Sequence, residues 1–96
     1  MFDLKEQEYL LLYKMMKINE PRNTTELASA LKVSINTVKG HLGRLEIIKF
    51  VTSKRKGKEI KWTITADGNS FIEEYIETEV GKARLVIWEA EDLISR

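Results

Sequence analysis

The sequence predicts a mostly helical α+β chain in which a three-helix core is followed by a two-stranded β-ribbon and a long C-terminal helix. Three observations carry that expectation. Apolar residues recur every three or four positions up to Ile48, so each helix buries one face. The period then shortens to two, with Ile60, Trp62 and Ile64 alternating with Lys61, Thr63 and Thr65. Helical spacing returns after Thr65 and holds to the end of the chain. At 96 residues this is one domain, close to the size below which a single core needs help from a partner subunit.

In chain order, the first helix is expected over Asp3 to Ile18, with Asp3 as N-cap and Glu6 completing the capping pair three residues on. Its apolar content, from Leu4 through Tyr9 to Leu12 and on to Met15, Met16 and Ile18, exceeds one stripe. That predicts burial on two sides, by its own core and by a partner chain, with the Met pair as gap-filling core. Pro21 ends the helix in an extended connector. Asn23 with Glu26 then caps a second helix running to about Leu31, and Ser34 caps a third after a tight turn at Lys32 and Val33.

That third helix organises the rest. Its buried stripe is Val38, Leu42, Leu45 and Ile48, and its polar side carries Asn36, Thr37, Lys39, Gly40, His41 and Arg44. Short polar groups plus cations, in place of the usual Glu/Lys mixture, supply donors and acceptors suited to base edges in a major groove.

Lys32 and Lys49 occupy the turns after the second and third helices, where positive φ is normal and a Cβ costs about 1 kcal/mol relative to Gly. The expectation is that both cations serve phosphate contact at the expense of stability. Phe50 to Ser53 and Ile60 to Thr65 form the ribbon. Its tip runs from Lys54 to Glu59, with Gly57 at the turn and Lys54, Arg55, Lys56 and Lys58 projecting. Such a tip can reach along a backbone or into a minor groove.

Thr65-Ala66-Asp67-Gly68 starts the last helix, which can continue to about Ser95, a rod of roughly 40 Å. Ile76, Val80, Ala83, Ile87, Ala90 and Ile94 follow heptad spacing and form the expected homodimer seam, widened by Val86 and Leu93. Two alternatives stay open: Gly81 breaks the rod, or the rod folds back on its own domain. Leu85 and Trp88 lie off the seam and are expected against the first helix of either subunit.

Charge supports the same reading. From Lys32 to Lys61 nine cations face two acids, a local charge of +7, while the remaining residues sum to −6. A basic block on one helix and the hairpin after it is the footprint of a phosphate-binding surface. Other classes fall away. Without cysteine there are no disulfides, thiolate metal sites or thiol chemistry. One histidine, no Gly-rich phosphate loop and no nucleophile–base pair leave no enzyme, metal or cofactor to expect. No apolar run nears the roughly 18 residues of a membrane span and no signal peptide precedes the first helix, so the expected address is the cytoplasm.

The wording of two segments adds to this. TELASALKVSINTVKGHLGRLEIIKFV and WTITADG resemble the helix-turn-helix and the wing closure of the winged helix-turn-helix transcriptional regulators of the MarR and ArsR kind. The resemblance covers residues 5 to 75. It implies that Ser34, Asn36, Thr37, Lys39, His41 and Arg44 face DNA and that Arg55, Lys56 and Lys58 belong to the wing. Residues 1–67 would bind double-stranded DNA and residues 68–96 would dimerise, within one structural domain. Where this chain has Lys32 and Lys49 the family commonly has Gly. Its metal-sensing members use Cys and His clusters missing here, and the extra N-terminal helix that helps enclose a ligand pocket in longer members is also missing, so no effector is assigned. The alternative is a winged-helix module that binds protein or RNA.

Overall fold

A computed structural model describes residues 3–94, so the expected continuation to Ser95 and the side chain of Ile94 lie outside the described residues. Eight elements follow in order: α1 (Glu6–Ile18), β1 (Arg22–Asn23), α2 (Thr24–Leu31), α3 (Ile35–Ile47), β2 (Val51–Lys56), β3 (Glu59–Ile64), α4 (Ala66–Glu77) and α5 (Glu79–Ile94). Leu11 and Leu12 of α1, Leu27 of α2, Val38, Leu42 and Leu45 of α3, Val51 of β2 and Ile72 of α4 are fully buried together. That cluster is the three-helix core the periodicity predicts, closed by the ribbon and α4.

The N-terminus of α1 is set differently from expectation. Lys5, not Asp3, is the N-cap residue, and its N–H donates to Glu8 Oε1 at 2.9 Å. Glu8, three residues after this N-cap, takes the capping role expected of Glu6.

The sheet has three antiparallel strands in the order β1-β3-β2, one more than the ribbon expected. Two residues of the connector, Arg22 and Asn23, pair with Trp62 and Lys61. Trp62 Nε1 donates to Thr24 Oγ1 at 3.1 Å and Asn23 Nδ2 to Glu59 Oε1 at 2.9 Å, so the ribbon is pinned to the start of α2. Strand β2 is longer than expected, and β3 starts one residue earlier, at Glu59. Lys54, Arg55 and Lys56 are in the ladder, and the tip shrinks to the turn at Gly57 and Lys58, with Gly57 at φ 65°.

The C-terminal segment is helical but broken, and the break lies at Thr78. Thr65 and Thr78 begin α4 and α5 by one device: each hydroxyl accepts the N–H of a glycine three residues on, Gly68 and Gly81, both at 3.0 Å. Each glycine also lies against a backbone carbonyl, of Phe50 for Gly68 and of Tyr75 for Gly81, where a Cβ would collide. Thr78 sits in extended backbone at ψ 162°, which turns α5 back onto α1.

There Trp88 is buried against Tyr13, ring centroids 5.3 Å apart. Arg84 pairs with Glu6 and Lys14 with Asp92, the latter at 3.4 Å. The second side of α1, expected against a partner chain, is therefore covered by the protein's own α5. The rod folds back, and it breaks at Thr78 rather than at Gly81, which lies inside α5. Among the described residues, no helix is long and apolar enough to cross a membrane.

Candidate nucleic-acid interface

Helix α3 is held by its N-cap and by its core stripe. The Thr37 N–H donates to Ser34 Oγ at 3.1 Å, and the two hydroxyls lie 2.8 Å apart, so both exposed side chains are tied into one polar corner. At 100° per residue, Asn36, Gly40, Gly43 and Ile47 fall opposite Val38, Leu42 and Leu45. Asn36, Thr37, Lys39 and Gly40 are exposed, and Ile47 is 80% exposed. Neither glycine is needed for the fold: a Cβ at Gly40 or Gly43 meets nothing within 4 Å.

One expected contact turns away. His41 places Nδ1 3.0 Å from Glu8 Oε2, its side chain is 12% exposed, and that carboxylate is completely buried. His41 is thus a packing residue bridging α3 to α1 and not an outward DNA contact. On the helical wheel it borders the core stripe, and a buried acid 33 positions earlier captures it. Arg44 shares the same oxygen, with Nε at 3.2 Å, but its side chain stays 48% exposed.

Lys32 and Lys49 are exposed at the two turns, at φ 58° and 66°, in the strained conformation their positions imply. The Thr65 hydroxyl donates to the Lys49 carbonyl at 2.7 Å, fixing that turn to the start of α4.

The ribbon divides its cations between two faces. Register pairs Val51 with Ile64, Ser53 with Trp62 and Arg55 with Ile60 on the face that carries the core tryptophan. The other face carries Thr52 opposite Thr63, Lys54 opposite Lys61 and Lys56 opposite Glu59. Lys54, Arg55, Lys56 and Lys58 are all exposed. Lys61 joins this surface although it was not singled out as a site residue. The alternation that buries Ile60 and Trp62 already required Lys61 to point outward. Like charges directly opposite each other disfavour the ladder, so the Lys54–Lys61 pair stands at some cost to the sheet.

The expected dimer seam is split by the break. Ile76 packs against the core from α4, whereas Val80, Ala83, Ile87 and Ala90 are exposed along α5. Val86 and Leu93 are exposed as well, at 69% and 70%. Between α1, α4 and α5 lies an open groove of about 560 Å³ lined by Leu4, Tyr9, Phe71, Tyr75 and Val80, with Tyr9 stacked on Tyr75 at 4.0 Å. Burial, then the neighbouring Tyr75 and Asp3, push the Tyr9 hydroxyl above its ordinary pKa. Among the described residues no three His, Asp or Glu side chains converge as metal ligands would.

No protein-family model and no curated protein sequence matches the chain. Solved structures do. A variant of S. aureus MepR bound to an oligodeoxyribonucleotide superposes with a TM-score of 0.72 at 16% identity, over 98% of this chain and 66% of that one. Lactococcus lactis ZitR, a zinc-responsive MarR family member, gives 0.69 at 20%, over 95% and 63%. The homodimeric winged helix-turn-helix DNA-binding domain Mb0332 of Mycobacterium bovis, a possible ArsR-family regulator, gives 0.64 at 15%, over 76% and 66%. The chain therefore has the winged helix-turn-helix fold: α2 and α3 are the helix-turn-helix and β2–β3 the wing.

Proposed function

We propose that this protein is a sequence-specific double-stranded DNA-binding transcriptional regulator that acts as a homodimer in the cytoplasm. The observation that carries the reading is the placement of the cations. Lys32, Lys39, Arg44 and Lys49 on and beside α3, and Lys54, Arg55, Lys56 and Lys58 on the wing, are all exposed, on two elements locked together by Ser53 Oγ donating to Glu46 Oε2 at 2.8 Å. A rigid basic surface with a polar helix is what a major groove and its flanking phosphates require. The DNA-bound MepR structure shares this fold, which supports the reading.

In this reading Asn36, Thr37 and Lys39 approach base edges, while Lys32, Ser34, Arg44 and Lys49 meet phosphates together with the first-turn N–H groups of α3. The wing lies along the backbone or in the minor groove. Gly40 and Gly43 let the α3 backbone come close to the duplex. Two protomers would set their α3 helices about 34 Å apart over an inverted repeat. The exposed apolar residues of α5 are the surface on which they would join, a role supported by the size of the chain and by the homodimeric state of Mb0332.

Electrophoretic mobility shift against mixed genomic fragments tests this on the wild type and on Lys39→Ala and Arg55→Ala. The wild type is expected to retard a subset of fragments, and each substitution to weaken the shift. A module that binds protein or RNA would leave duplex DNA unshifted, which would refute the reading.

A further inference from the structure

Glu8 has no place in the contacts just described, yet it is the one charged residue buried in the core of the described residues. A carboxylate taken out of water costs several kcal/mol unless its oxygens are fully hydrogen-bonded. Oε1 accepts the Lys5 N–H at 2.9 Å, and Oε2 is hydrogen-bonded with His41 Nδ1 at 3.0 Å and forms an ion pair with Arg44 Nε at 3.2 Å. Two of the three partners come from α3, whereas Glu8 belongs to α1. If the group only stabilised the fold, an apolar trio of similar volume would do as well or better.

The asymmetry between its two α3 partners indicates what the arrangement does. His41 is almost covered, so its bond is an internal anchor. Arg44 is half exposed, and its ion pair with Glu8 is made through Nε. A guanidinium is planar and carries five N–H donors. Pairing at Nε leaves the four N–H groups of the terminal nitrogens for other partners and narrows the space the side chain can sample. The space beside Arg44 one turn back is open, since Gly40 carries no side chain and nothing lies within 4 Å of where its Cβ would be.

We infer that Glu8 is a positioning residue for DNA recognition: from inside the protein it holds Arg44 by Nε and aims the terminal nitrogens of the guanidinium outward at a phosphate. This rests on the DNA-binding reading above and adds to it a residue that never touches DNA. Its gain is entropic, because a long side chain already ordered before binding does not have to be immobilised on the duplex, a saving worth about fivefold in affinity.

A double-mutant cycle on the full chain tests it, using a duplex selected by the wild type from a random library. Glu8→Gln is expected to weaken binding about fivefold and to shift the salt dependence of affinity in the same direction as Arg44→Ala. In the Arg44→Ala background the same Glu8→Gln change is expected to do nothing beyond twofold. Equal weakening in both backgrounds would show that Glu8 matters only for folding, and tighter binding by Glu8→Gln would show that Glu8 sequesters Arg44; either overturns the proposal. Should Glu8→Gln fail to fold, Arg44→Lys carries the test, because it keeps the charge and lacks the fork. It is expected to bind as weakly as Arg44→Ala, and wild-type affinity would overturn the proposal. A wild type that selects no duplex overturns this inference and the DNA-binding reading together, whereas selection without coupling overturns this inference alone.

Discussion

At the scale of single residues, the turn lysines give the sharpest trade between stability and binding. Lys49 is held at φ 66°, a backbone conformation that disfavours any residue with a Cβ. Lys49→Gly is expected to stabilise by about 1 kcal/mol, raising Tm by roughly 4–8 °C, and to weaken DNA binding; Lys32→Gly should behave alike. Calorimetry paired with a binding titration checks both, and unchanged affinity would remove the phosphate role. Both strained turns were legible in the sequence, because each helix has to stop within two or three residues of the next element, a cap after Lys32 and a strand after Lys49, which leaves little choice of backbone.

The inward turn of His41 was not legible. Helical spacing puts it at the edge of the buried stripe, and only the fold brings Glu8 beside it. Tyr13 supplies a pH prediction at the same scale: burial first, then Glu89, which accepts its hydroxyl at 3.5 Å, raise its pKa above the ordinary 10.0. The folded state holds this proton more tightly than the unfolded one, so its stabilising effect is complete below pH 10 and is lost as pH rises through the folded value. Chemical denaturation between pH 9 and 11 should show this loss, and Tyr13→Phe should flatten it.

Among the elements, α3 and α5 carry the two glycine arguments, with opposite signs. Gly40 has open space around its missing Cβ, so Gly40→Ala should gain about 1 kcal/mol of helix propensity while weakening DNA binding through the closer approach it prevents. Gly81 sits against the Tyr75 carbonyl, so Gly81→Ala should lower stability and loosen α5, read as a red shift of tryptophan emission as Trp88 leaves Tyr13. An unchanged spectrum and Tm would contradict the role given to this break. The break is written in the sequence: Thr78-Glu79-Val80-Gly81 repeats the Thr-x-x-Gly wording with which Thr65-Ala66-Asp67-Gly68 starts a helix. Strand β1 is not, since two residues leave no alternation to count and its pairing partner lies some 40 positions away.

For the whole molecule, dimeric DNA binding requires two surfaces at once, the basic one of α3 and the wing and an apolar one for a second copy. Val80, Val86, Ile87 and Leu93 are all more than half exposed on α5, an apolar row that a second copy would cover. Ile87→Lys is expected to leave the circular dichroism spectrum intact, halve the sedimenting mass and reduce DNA affinity. A wild type that is monomeric at concentrations where it binds DNA would remove the dimer. The fold class was readable because core periodicity, caps and the change of period all agree. The expected dimer seam does not stay on one surface, since the same heptad positions serve the core at Ile76 and solvent from Val80 onward.

Whether the cations of α3 and the wing neutralise DNA phosphates is decided by the slope of log affinity against log salt concentration for the wild type and Arg55→Ala. With four to six phosphates met per protomer, the account predicts a slope of about −0.9 per contact, shallower by about 0.9 per protomer in Arg55→Ala. A wild-type affinity indifferent to salt, or a slope that the substitution leaves unchanged, would contradict it.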